Sequence, residues 1–391
     1  MFTSLAATAT SVLAPMIAGD LDLSPKLIGV FVGVIYVGSM GGSLAAGGFV
    51  ERFGAIRVSQ VCVLMCAASL LAVCAGAAPL SSAVVALLLV APLVLGMGYG
   101  PITPASSHVL VRTAPPSMMA LTFSIKQTGV PAGAALAGAL LPGLALAQGW
   151  RATFVAIAAL GIAIALAAQP TRKSFDADRQ PGRPISVGGV FAPLKVVFGA
   201  LALRELALTG FVYAATQVCL SSFLVVYLTE TLGFGIVAAG LALTVANLGG
   251  IVGRIAWGGT ADRWVPPRAM LGSIGVAAGL CAYATAGFGA GWPPSLIFLV
   301  GALFGATAIG WNGVQLAEVA RLSPAGQAGA VTGASGFVTF AGVVIGPPVF
   351  ALLAATTGSY RIGFLVFGSA SLACGARLLA RKTQKWKSFP K

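Results

Sequence analysis

Twelve runs of mostly apolar residues follow one another along this chain, each close to the roughly 20 residues that a helix needs to cross the hydrocarbon core of a bilayer. They fall at about 2–18, 27–50, 56–77, 82–108, 117–146 and 151–168, then at about 202–228, 235–258, 268–290, 294–317, 327–355 and 361–380. A backbone in lipid must satisfy its own hydrogen bonds, so single runs of this length fold as helices. The expected fold is therefore an all-α membrane protein with twelve transmembrane helices. Charged residues are 8% of the 391, against about a quarter in soluble domains, and they gather between the runs. That placement argues against nucleic acid as the partner of the net charge of +14, because such a patch interleaves basic and aromatic residues on one solvated face.

Metal and covalent chemistry have little to work with. Cys62, Cys66, Cys74, Cys219, Cys281 and Cys374 all lie inside apolar runs, without metal-ligand spacing or a disulfide framework, and read as small apolar fillers. His108 is the one histidine and reads as an interfacial residue at a helix end. With no histidine, carboxylate or thiol cluster, the chain is not expected to be an enzyme, and no cofactor or metal is expected.

Orientation follows from the basic residues. The side carrying the 2/3, 4/5, 6/7, 8/9 and 10/11 loops and the C-terminus holds 18 Lys and Arg, and the other side holds Lys26, Arg151 and Arg361. Both termini are thus expected in the cytoplasm, in a bacterial inner membrane. No basic residue precedes Lys26, so the first run lacks the basic n-region of a signal peptide and reads as a membrane helix. That run is short, and the sequence is expected to start late, missing a leader and about one or two helical turns. The long polar stretch QPTRKSFDADRQPGRPISVGGVFAPLK separates the sixth and seventh runs. It divides the chain into a bundle at 1–168, a cytoplasmic linker at 169–201, and a second bundle with a basic tail at 202–391. Pro193 is expected to start a short interfacial helix within the linker.

The two halves repeat. Gly47-Gly-Phe-Val-Glu51-Arg52-Phe-Gly54-Ala-Ile-Arg57 matches Gly258-Gly-Thr-Ala-Asp262-Arg263-Trp-Val-Pro-Pro-Arg268 at an offset of 211 residues. Arg112-Thr-Ala-Pro115 matches Arg321-Leu-Ser-Pro324 at 209, and Trp150-Arg151-Ala-Thr-Phe154 matches Tyr360-Arg361-Ile-Gly-Phe364 at 210. Three matches at nearly one offset mark two parallel six-helix repeats, an arrangement that puts a binding site between halves near the midplane. The glycine-rich acidic-arginine turns after runs two and eight resemble the signature loop of the major facilitator superfamily, and the resemblance spans essentially the whole chain. Glu51 stands where the first copy usually has aspartate, and Val265 stands at a glycine position of the second. The resemblance implies rocking, alternating-access transport, with Glu51, Arg52, Asp262 and Arg263 latching cytoplasmic helix ends. A carboxylate there suits the exposed amides of a neighbouring helix start.

Polar residues at helical spacing point to the spans that face a cavity. They include Tyr99 in span four, Tyr213 and Gln217 in span seven, Asn247 and Arg254 in span eight, and Trp311, Asn312 and Gln315 in span ten. Ser and Thr in these stripes also have the alternative of bonding back to their own helix. Arg254 lies eight residues before Asp262, roughly 12 Å from the turn, and Lys126 lies roughly 9 to 14 Å into span five. In the superfamily spans five and eight abut, so the resemblance lets one cation from each half face the same point. A charge inside a span is costly and needs a reason. An anionic substrate is one, since a guanidinium offers a carboxylate two parallel donors. The alternatives are a bond from Arg254 to backbone carbonyls and a snorkel of Lys126 to the cytoplasmic surface. Arg254 in GRIAWGGTADR further resembles the arginine of the oxalate/formate antiporter, monocarboxylate porter and nitrate or cyanate transporter branches, where it contacts a small anion. Gly129, Gly133 and Gly138 in span five, and Gly342 and Gly346 before Pro347-Pro348 in span eleven, suit close helix approach or a gating bend.

The expectation is a monomeric transporter of small organic anions resembling monocarboxylates, whose partners are the bilayer, the anion and a co-transported proton or counter-anion. Exchange, facilitated passage and symport stay open, since no carboxylate occupies the middle of a span. Efflux of amphiphilic or acidic drugs is the alternative, and a non-transporting sensor a third.

Overall fold

The computed structural model describes residues 1–20, 27–75, 82–182, 184, 187–289 and 291–380. Lys26, Arg183 and the basic tail at 381–391, which enter the charge count above, lie outside them. In chain order the helices are α1 (Phe2–Val12), α2 (Ala14–Asp20), α3 (Leu27–Phe53), α4 (Ala55–Cys74), α5 (Ser82–Tyr99), α6 (Ile102–Thr113), α7 (Met119–Gln148), α8 (Trp150–Ala167), α9 (Arg172–Phe175) and α10 (Val187–Gly199). They continue as α11 (Leu201–Glu230), α12 (Ile236–Arg263), α13 (Pro267–Ala286), α14 (Pro294–Ala308), α15 (Asn312–Leu322), α16 (Ala328–Thr357) and α17 (Tyr360–Ala380). Among the described residues there is no strand, and 10 helical stretches are long and apolar enough to cross a membrane.

The first and fourth expected spans, several of whose side chains lie outside the described ones, are not among those ten; both form helices, and each is interrupted once. The first breaks at Leu13, just before Pro15, whose missing amide cannot continue the ladder. The fourth breaks at Gly100–Pro101, where proline again removes a donor and disfavours helical backbone in the residue before it. The tenth span is interrupted as well, at 309–311, between α14 and α15. In the linker, α10 begins at Val187, so Pro193 sits inside the helix rather than starting it.

Packing groups the chain into two compact units. One comprises Met1–Arg112, Gly129–Gly199 and Ser323–Phe340, and the other Thr113–Thr128, Ala200–Leu322 and Ala341–Lys391. Within the first, α3 packs on α5 and α4 on α8. Within the second, α12 packs on α14 and α13 on α17, the same pairs one repeat later. Lipid gives helices no hydrophobic reason to pair, so close backbone approach between small residues does the work. A Cβ on Gly96 would run into the Ile35 carbonyl in the first pair, and one on Gly305 into the Ala246 carbonyl in its counterpart. The starts of α7 and α16 also have matched positions. Gly258 of α12 meets Ser124 of α7 inside the second unit, and Gly47 of α3 meets Ala330 of α16 inside the first.

Candidate functional site

The break between α14 and α15 builds the site. Ending a helix at Ala308 leaves its last carbonyls without amide partners and concentrates the negative end of the helix dipole there. Donors from α12 meet that end. Trp257 Nε1 donates to the Ala306 oxygen at 2.7 Å, and Arg254 Nε to the Ile309 oxygen at 3.1 Å. The other arm of the Arg254 fork donates through one terminal nitrogen to the Gln127 carbonyl of α7. Arg254 is only 2% exposed, so these bonds hold a cation well inside the protein. Of the two roles the sequence left open for Arg254, the bond to backbone carbonyls is thus present in this structure.

Asn312 Nδ2 reaches the same Ile309 oxygen at 3.4 Å and donates to Gln217 Oε1 at 3.1 Å. Trp311 Nε1 donates to the same Gln217 oxygen, also at 3.1 Å. The Trp311 ring meets Tyr213 edge-on, with centroids 5.7 Å apart, and the Tyr213 hydroxyl donates to the Leu271 carbonyl. Arg254, Asn312, Gln217, Trp311 and Tyr213 thus form one network within the second unit. Lys126 adjoins it through Gln127, and Arg254 acts on it electrostatically. The Lys126 Nζ is buried and has no hydrogen-bond partner.

The remaining residues expected at the site lie apart from this network. Asn247 bonds back to Leu243 of its own helix, and Gln315, 3% exposed, donates to the Leu206 carbonyl as a packing bond. Tyr99 belongs to the first unit, where its ring meets Phe340 edge-on at 6.1 Å. The Thr216, Thr244 and Thr307 hydroxyls bond back to carbonyls four residues earlier, as Ser and Thr in membrane helices often do.

At the helix ends, Asp262 accepts from the amides of Ala120 at 2.9 Å and Leu121 at 2.8 Å, capping the start of α7. Arg263 is exposed. In the first unit Arg52 stacks over Phe53, and the Glu51 carbonyl accepts from the Gln180 amide at 2.7 Å. There the carboxylate that caps a helix is Asp176 of the linker, which accepts from Ile56 at 2.8 Å and Arg57 at 3.1 Å. Sequence inspection missed Asp176, as it missed Gln127 and Ile309, whose contribution is main-chain oxygen. Asp178, two residues on, lies 2.6 Å from both His108 Nε2 and an Arg112 nitrogen. Burial pushes its carboxyl up, but the His108 bond and the charges of His108 and Arg112 outweigh that and hold it below its ordinary value. Among the described residues, no group of His, Cys, Asp and Glu could hold a metal ion.

A family model described as Major Facilitator Superfamily matches residues 1–347. The hexuronate transporter of Bacillus subtilis (strain 168) is 24% identical over 387 residues, covering 92% of this chain and 87% of that protein. The gentisate transporter of Corynebacterium glutamicum is 27% identical over 290 residues, covering 71% of this chain and 63% of that protein. Among solved structures, the E. coli fucose:proton symporter superposes with a TM-score of 0.75 at 16% identity, covering 97% of this chain and 96% of that one, a likeness of fold.

Proposed function

The chain belongs to the Major Facilitator Superfamily, and on that premise we propose that it carries small hydroxylated monocarboxylates across a bacterial inner membrane by rocker-switch alternating access. It is a multi-pass membrane protein, and its family and relatives are transporters, not enzymes. Hexuronate and gentisate, which name two relatives, are both hydroxylated monocarboxylates. The observation that carries the proposal is the Arg254 network: a buried guanidinium bonded to the Gln127 oxygen, next in sequence to Lys126, and to the Ile309 oxygen. Asn312 shares the Ile309 oxygen, and through it Gln217, Trp311 and Tyr213 are linked. Arg254 holds the carboxylate with its planar fork, in place of a backbone carbonyl. The amides and indole meet hydroxyls, and the aromatic edge meets a sugar or phenyl ring. Asn247, Gln315 and Tyr99 border the path, while Asp262, Arg263, Glu51 and Arg52 work as the cytoplasmic latch. Bundles at 1–168 and 202–391 rock about the linker, both termini face the cytoplasm, and the monomer is the working unit.

The test is ligand-dependent thermal stability. Gentisate and glucuronate are expected to raise the unfolding midpoint of purified protein, since a ligand that binds only the folded state stabilises it. Amphiphilic cations are expected to leave it unchanged. Arg254→Gln is expected to remove the carboxylate response and proteoliposome uptake together; uptake with unchanged affinity in that variant overturns the assignment.

A further inference from the structure

Lys126 stands seven positions into α7, and its Nζ, buried, has no hydrogen-bond partner. An ammonium has three hydrogens to place, and this one places none on a described residue. The charged group acting on it is Arg254, of the same sign. The acidic side chains of α11, α12 and α15 are committed elsewhere: Asp262 to the amides of Ala120 and Leu121, Glu318 to Arg321, Glu205 to Arg268 and Arg377, and Glu230 to the Tyr360 hydroxyl. Two cations side by side away from water are costly unless an anion lies with them. The two differ in one respect: a guanidinium keeps its proton throughout, whereas an amine can release one.

We propose that Lys126 is the proton-carrying group of the transport cycle. The inference rests on the reading that Arg254 holds the substrate carboxylate. With no anion bound, Lys126 is a neutral amine. As a carboxylate docks on Arg254, the Nζ lone pair takes a proton from hydronium on that side, an O–H bond breaking to leave water as the N–H bond forms, and the ammonium pairs with the carboxylate. On the opposite side the anion leaves, the N–H bond breaks, and the proton returns to water. One anion and one proton cross together, which gives coupling to a chain without a carboxylate in the middle of a span.

The experiment uses proteoliposomes of the full chain with a pH dye in the lumen, and gentisate and glucuronate as probes. In wild type an inward substrate gradient is expected to acidify the lumen at about one proton per anion, and an inward proton gradient to drive several-fold accumulation. In Lys126→Arg, whose charge is fixed, and Lys126→Gln, which carries none, the proton-to-anion ratio is expected to fall toward zero. That ratio does not depend on how much protein is active. A ratio near one in either variant, or substrate movement without protons in wild type, overturns the proposal. So does a variant that unfolds at the wild-type temperature yet binds neither probe, since Lys126 is then a ligand only. If neither probe stabilises or crosses with wild type, the Arg254 reading fails first and this one with it. If both do and only the ratio is insensitive to Lys126, the Arg254 reading stands.

Discussion

Arg254 and Asn312 donate to one acceptor, the carbonyl oxygen of Ile309, at 3.1 and 3.4 Å. A charged donor and a neutral one therefore stand side by side at the end of α14, suited to the charged and hydroxylated ends of one small molecule. Arg254→Lys keeps the charge but loses the planar fork. A charge-assisted hydrogen bond is worth about 1.5–3 kcal/mol, so carboxylate affinity is expected to fall roughly 10- to 100-fold. Calorimetric titration with gentisate measures it.

Gln217 accepts from both Trp311 and Asn312 through one oxygen. Gln217→Leu leaves two donors without that acceptor and is expected to cost about 1–3 kcal/mol of stability. Gln217→Glu restores the acceptor, so most of that stability is expected back, while its negative charge lowers carboxylate affinity. Unfolding midpoints and binding isotherms of the two variants separate the effects.

Asp262 caps α7 from a different helix, with one oxygen on each of two consecutive amides. Losing such a cap costs about 0.5–2 kcal/mol, so Asp262→Ala is expected to lower the unfolding midpoint, and Asp262→Asn, which keeps one acceptor oxygen, to lower it less. Amide hydrogen exchange is expected to rise first at residues 120 and 121.

Asp178 gives the linker a pH response. Its carboxyl is held below the ordinary 3.8. A carboxyl lowered by folding contributes stability above that ordinary value and loses it as pH falls through the folded one. Linker docking is therefore expected to persist through neutral and mildly acid pH and to loosen only below about 4. Exchange of amides 177–180, corrected for intrinsic rates, checks this. His108→Ala is expected to raise that exchange several-fold at neutral pH, because the hydrogen bond to Asp178 is gone.

The fold was legible because apolar length and a 210-residue repeat act on every helix at once; both copies of the paired packing, α3 on α5 and α12 on α14, follow from it. The breaks were less legible. Gly100-Pro101 announces one, yet the apolar run continues past it, while the break at 309–311 has Gly310 but no proline. At the site, Arg254 and Lys126 stood out as charges in apolar runs, whereas the oxygens of Gln127 and Ile309 leave no trace in residue type. Asp176 could have been found as an acidic residue in a short basic linker, four residues after Arg172, with which it pairs at 3.3 Å.

Since the two carbonyls that take the Arg254 fork are main-chain atoms, no exchange of the side chains at Gln127 or Ile309 can delete them. The guanidinium works as a gauge of spacing: it is satisfied by both oxygens only while the backbone at Gln127 and the backbone at Ile309 stand a fixed distance apart. Under the proposed function, a carboxylate that displaces either oxygen releases that constraint, so the cation proposed to recognise the cargo also registers helix position, and cargo binding becomes permission to move.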